Sequence, residues 1–271
     1  MFMIIAASLS AIIVLYLLMR HGRQSKLNDN RYRLVCELRS VAEQLCEHRH
    51  LAHTHLSFEP IPDNHTVEIE KNISNSLLFL VEKSFVNDRP MFRLLMKQIQ
   101  TLLFEWRDMT PSKSQMSHGK AIRATLYLID EIVLTWLVES DQVELSEQYS
   151  RQWSHIIDSL EALTQFRMLV SDSRDELQCE RLNLKAQVLL RKINRLSLLS
   201  PLGVHAPSTS QAARQLTEII SAHGHIEELD ERELYQLTST LSLAIFKVYD
   251  QILIELSEQI NQPLPAKEVK A

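Results

Sequence analysis

An apolar helical stripe interrupted by an arginine occurs twice in this chain, and it limits the possible folds more than any other feature. Leu34, Leu38, Val41, Leu45, Ala52 and Leu56 follow the spacing of one helix face, and Arg49 completes the series, four after Leu45 and three before Ala52. Trp153, Ile156, Ile157, Leu160, Leu163 and Val170 form a second stripe, with Arg167 inside it. The offset is 167 − 49 = 118, and the same shift lays Glu43 on Glu161, Leu45 on Leu163 and Leu51 on Leu169. A guanidinium keeps its charge in a protein. On a core-facing stripe it therefore needs a carboxylate, a ring of acceptors or a bound anion.

Periodicity of this kind dominates the chain. With only 4 glycines in 271 residues, the long 3.6-residue patterns predict an all-α body. The formal net charge is −5 and the pI about 6.1, with no basic stripe in the body, which excludes an electrostatic footprint for nucleic acid. Cys36, Cys46 and Cys179 have no metal-ligand spacing and cannot all pair, which points to a reducing compartment.

The chain opens with an uncharged apolar run, Phe2 to Met19. Eighteen residues rise about 27 Å as a helix, close to the hydrocarbon thickness of a bilayer. No basic segment precedes the run, and Leu-Leu-Met-Arg is a poor cleavage site, so it reads as an uncleaved anchor and not a signal peptide. Arg20, Arg23 and Lys26 follow in a basic juxtamembrane segment, 20–29, and the positive-inside rule puts the rest of the chain in the cytoplasm. The expected location is the inner membrane of a bacterium, single-pass.

Prolines, glycines and polar clusters divide residues 30–260 into eight expected helices, four in 30–140 and four in 141–260. The first half has helices at 30–57, Thr66–Val86, Phe92–Trp106 and Lys120–Glu139, with Met109–Gly119 expected as a loop. The second has helices at Val143–Val170, Asp172–Leu199, Gln211–Ala222 and Glu228–Ile260, with a loop over Ser200–Ser210 and a tail from Asn261. The closing helices of the two halves also align, at an offset of 120: Ala124 on Ala244, Asp130 on Asp250, Ile132 on Ile252. Two aligned pairs in the same order predict an internal duplication.

The stretch Leu45-Cys46-Glu47-His48-Arg49-His50-Leu51 resembles the first-helix signature of the nitrate- and nitrite-sensing (NIT) domain family, in which leucine, two or three polar residues, arginine, glycine and an aliphatic follow one another. The resemblance extends to Trp106, to the serine-rich segment with His118, to Ala121–Trp136 with Asp130, and to Arg167 in Leu163-Thr164-Gln165-Phe166-Arg167. It implies an eight-helix sensory domain holding a small anion between its halves, with Arg49 and Arg167 as the anion contacts. His50 departs from the pattern, since the family has glycine there and an imidazole crowds or reshapes a pocket that glycine leaves open.

The paired arginines suit that chemistry independently of the resemblance. Nitrate and guanidinium are both planar and delocalised, and a planar donor fork makes bidentate contacts with such an anion. The alternative is internal pairing, with Asp130 and Asp250, beside the apolar faces of the closing helices, neutralising the arginines. His48, His50, His53 and His55 have no carboxylate at a familiar ligand spacing and read as a polar flank titrating near neutral pH, not as a metal site. No nucleophile constellation or phosphate-binding glycine loop stands out, so the expectation is a non-enzyme without cofactor or metal. The expected function is a membrane-anchored sensory or binding domain for a small oxyanion, nitrate or nitrite, with its output through an unknown protein partner or a homo-oligomer. The alternative is a ligand-free tethered scaffold or protein-interaction module.

Overall fold

The computed structural model describes residues 2–170, 176–198, 211, 213–218 and 230–259, and side chains within them except at 2–25, 63 and 176–179. Every regular element among the described residues is helical. The helices are α1 (Phe2–Ser57), α2 (Asp63–Lys83), α3 (Arg89–Glu105), α4 (Pro111–Glu139), α5 (Val143–Val170), α6 (Glu176–Ser197) and α7 (Glu231–Gln259). A 3-10 turn, Trp106–Asp108, joins α3 to α4, and a short helical stretch covers 213–218.

α1, α2, α3 and α4 pack in a closed cycle, each against the next and α4 against α1. α5, α6 and α7 pack on one another, and α4 against α5 joins the two groups. Apolar helix faces drive this. Leu34, Leu38, Val41 and Leu45 on α1 are buried, as are Phe92, Leu95, Ile99 and Leu102 on α3 and Trp153, Ile156, Leu160 and Leu163 on α5. Each aliphatic of this kind contributes about 1.5–3 kcal/mol on leaving water. One contiguous core results, running through all seven helices.

Two boundaries differ from the sequence reading. The expected loop Met109–Gly119 is mostly helix. Thr110 caps α4, its hydroxyl accepting from the Lys113 amide, and Pro111 takes the first-turn position where a missing N–H costs nothing. Gly119 serves packing and not a turn: a Cβ built on it would lie 2.6 Å from Thr164 Cγ2 and 2.8 Å from Thr164 Oγ1. The glycine lets α4 close on α5. The second difference is where α1 starts: the helix expected at 30–57 is continuous from Phe2, through the basic segment 20–29.

The side chains of the expected anchor, 2–19, lie outside the described residues, as do the expected loop 200–210 and the tail 261–271. Among the described residues one helix, α7, is long and apolar enough to cross a membrane. Over half of its most apolar window, 56%, is buried in the body, and the polar contacts below place it at the centre of the packing.

Candidate functional site

Arg49 and Arg167 are both buried, at 5% and 1% exposure, and both reach α7. Arg167 projects from α5 in the register of Tyr149, Trp153, Ile156, Leu160 and Leu163, so the helix that buries those side chains buries the guanidinium too. It donates from Nε to the Thr238 hydroxyl at 2.9 Å and from Nη2 to the Thr238 carbonyl at 2.8 Å. Arg49 is held more loosely. Its Nη2 lies 3.4 Å from Ser242 Oγ, beyond the usual N–H···O range, and its buried Nε has no hydrogen-bond partner. Burial, with Arg49 as the next cause, lowers Arg167 to about 9, so the two cations act on each other.

Tyr235 closes the site between them. The Arg167 guanidinium lies 5.7 Å from its ring centre, and its hydroxyl donates to the Arg49 carbonyl at 3.4 Å. Gln115 on α4 donates to the same hydroxyl at 3.4 Å, and its buried Oε1 has no partner. The His53 ring stacks on Tyr235 at 3.8 Å and the His50 ring at 5.7 Å. His53 is fully buried, whereas His50 stands at the exposed rim. Burial, Arg167 and neighbouring positive groups lower His53 to about 4; burial, Arg167 and Arg49 also lower His50. The imidazole that replaces the expected glycine is therefore exposed and stacked on Tyr235.

Asp130 and Asp250 do not neutralise the arginines. Asp250 forms a two-pronged pair with Arg39, Nε to Oδ1 at 2.6 Å and Nη2 to Oδ2 at 2.8 Å, and Arg39 also lies over the Phe246 ring. Arg39 precedes Arg49 on α1 by ten residues, about 15 Å along the helix, so the carboxylate is spent on a different cation. Asp130 hydrogen-bonds Tyr149 instead, and burial, the largest cause, raises it to about 6. Among the described residues no carboxylate forms an ion pair with Arg49 or Arg167.

The structure brings Arg49, Arg167 and His50 together and sends Asp130 and Asp250 elsewhere. It adds Tyr235, Thr238, Ser242, Gln115 and His53. The hydroxyls of Tyr235, Thr238 and Ser242 recur at steps of three and four along an otherwise apolar helix face, a polar seam legible in the sequence. Of the two buried guanidinia, Arg167 is held on Thr238 and Arg49 keeps an unpartnered Nε, beside the rings of Tyr235, His50 and His53. Among the described residues no group of three histidines, cysteines or carboxylates is placed to hold a metal ion. No protein-family model, curated protein or solved structure matches the chain.

Proposed function

We propose that this chain is a membrane-anchored cytoplasmic sensory domain of the nitrate- and nitrite-sensing kind, binding a small oxyanion between Arg49 and Arg167. The observation that carries the reading is the meeting of two buried arginines, from equivalent positions of the two halves, without a described carboxylate. An uncompensated buried ion costs several kcal/mol, and an anion between the two guanidinia offsets that cost for both. Arg167 is fixed on Thr238, while Arg49 keeps an unpartnered Nε and a single long bond, so Arg49 is the group free to turn onto a ligand.

An internal duplication accounts for the layout. α1 packs on α4 as α5 packs on α7, and Gln115 and Tyr235, 120 positions apart, meet where the two groups of helices join. The anchor reading rests on the apolar run 2–19 and the basic residues after it. α1 then carries the bilayer segment and Arg49 on one continuous helix. An anion that draws Arg49 toward α5 and α7 changes how α1 packs, and a protein partner or a second copy reads that change.

The test is the thermal midpoint of the full chain in detergent with nitrate, nitrite, chloride or sulfate. A ligand at one hundred times its dissociation constant stabilises by about 2.7 kcal/mol. Nitrate or nitrite should raise the midpoint selectively, and Arg49→Met and Arg167→Met should each abolish the rise. Equal shifts from all four anions, or none, would favour the ligand-free scaffold.

A further inference from the structure

The histidine run around Arg49 makes a second set of contacts that the anion site does not use. His48 is fully buried and turns toward α2 and α4. Its Nδ1 lies 2.8 Å from His118 Nε2, and its Nε2 lies 3.2 Å from Glu70 Oε1. His118 is also fully buried, and its Nδ1 lies 2.8 Å from the Ser114 carbonyl.

These distances fix the protons. A carbonyl only accepts, so His118 carries a proton on Nδ1 and donates it to Ser114. Burial, then the positive field of His48, lowers His118 to about 3 against the pull of that carbonyl, so His118 is neutral and its Nε2 is a bare lone pair. His48 Nδ1 must then supply the hydrogen in the 2.8 Å contact. That leaves His48 Nε2 facing a carboxylate. The Trp106 indole N–H donates to the same Glu70 oxygen at 2.9 Å, and Arg107 stands 3.5 Å from it. The Trp106 N–H and the Arg107 guanidinium both favour the ionised form of Glu70. A lone pair against a carboxylate at 3.2 Å is repulsive, so the hydrogen in this contact sits on His48 Nε2, and the two rings share three hydrogens among their three contacts.

We infer that His48, His118 and Glu70 form a buried proton-binding site, holding one exchangeable proton at His48 Nε2, and that this proton is linked through Arg49 to the oxyanion site. The second clause rests on the anion reading above; the first does not. The 2.8 Å contact between two ring nitrogens admits one hydrogen, so the histidine pair carries one positive charge and not two. It also rules out joint ligation of a metal, because both nitrogens would have to present lone pairs outward to one ion.

The charged and titratable groups facing the site come from every element around it. They are Arg49, whose charge reaches His118, and His55, edge-on to Trp106, from α1; Glu70 from α2; Arg107 from the 3-10 turn; and His118 from α4. Arg49 opposes positive charge on His118, and so on the hydrogen-bonded histidine pair that shares the proton. An anion seated on Arg49 removes that opposition, so anion and proton bind cooperatively, each raising the affinity for the other by the same factor. The domain would then respond to an oxyanion together with acidity, not to the oxyanion alone.

Two measurements on the full chain in detergent test this. Nitrogen NMR of labelled histidine in anion-free buffer near pH 6 should show both ring nitrogens of His48 protonated and only Nδ1 of His118. Glu70→Gln should remove one of the two His48 protons. A neutral His48 in the parent chain would overturn the proton site. Titration calorimetry with sodium nitrate above neutral pH, in two buffers of different ionisation heat, should show net proton uptake on binding, and His48→Gln should abolish it. Zero uptake with nitrate bound, or uptake that survives His48→Gln and disappears in His53→Gln, would overturn the linkage. A chain that binds no nitrate would sink the anion reading and its linkage together, while the NMR result would still decide the proton site.

Discussion

Arg49 and Arg167 reach α7 one helical turn apart, Arg167 on Thr238 and Arg49 on Ser242, and each arginine adds to the cost of burying the other. Removing one charge should therefore help the empty protein. Methionine fills a similar volume without a charge, and replacing buried ions with apolar side chains is often stabilising. In anion-free buffer Arg49→Met should raise stability by about 1–2 kcal/mol in chemical denaturation, given that its Nε is unpartnered and its bond to Ser242 is long. A marked loss of stability would mean that Arg49 is internally neutralised after all.

α4 and α5 are as close as they are because residue 119 has no side chain. The two nearest atoms a Cβ would meet belong to Thr164, which is pinned: its hydroxyl donates to the Leu160 carbonyl at 2.8 Å and accepts from Arg123 at 3.0 Å. Gly119→Ala should therefore cost about 1–3 kcal/mol despite alanine's better helix propensity. Adding Thr164→Ala removes both clashing atoms and should recover most of the loss. A double variant no better than Gly119→Ala would show that the strain lies elsewhere.

The arginine stripe was legible in the sequence because Arg49 and Arg167 each occupy a position that the apolar period had already reserved for the core. Gly119 was misread for a related reason. Ser114, Gln115 and His118 face inward on α4, so the buried face of its first turns is polar and shows no apolar stripe; serines and a glycine without one look like a loop. The partners of Asp250 and His48 were beyond reach. Arg39 lies 211 positions from Asp250 and His118 lies 70 from His48, and only the packing of separate helices brings them together. Asp130 and Asp250 stood at aligned positions yet took different partners, since the alignment constrains the backbone and not the side chain opposite.

Acid should loosen the fold before ordinary carboxylates titrate. His53 and His118 are lowered to about 4 and about 3, both chiefly by burial. An unfolded histidine titrates near 6.5, so between there and about 4 the unfolded chain binds more protons. The stability these residues contribute is complete above about 6.5 and drains away as pH falls through the depressed values. His53 faces Arg49, Arg167, His50 and, at 3.9 Å, Glu231, and the three positive neighbours outweigh the one acid. Denaturation midpoints should fall from about pH 6.5 to 4.5, and His53→Gln should flatten part of that slope. A slope left unchanged by His53→Gln would contradict the burial of that ring.

Asp130 gives the opposite sign in an overlapping window. Burial raises its carboxyl to about 6, the Tyr149 hydrogen bond opposes the rise, and Glu131 adds to it. Above about pH 6 the carboxyl is ionised in both folded and unfolded chains, and the folded chain bears the cost of a half-buried charge. Below about 3.8, the ordinary aspartate value, it is neutral in both and the cost is gone. Asparagine keeps an acceptor for Tyr149 and never ionises. Asp130→Asn should therefore be more stable than the parent at neutral pH, with an advantage that shrinks as pH falls from about 6 and disappears near 4 in denaturant titrations. The outcome also separates the two roles considered for this residue. Were Asp130 the counter-ion of a buried arginine, the same substitution would strand a cation and destabilise the protein most at neutral pH, by about 3–5 kcal/mol.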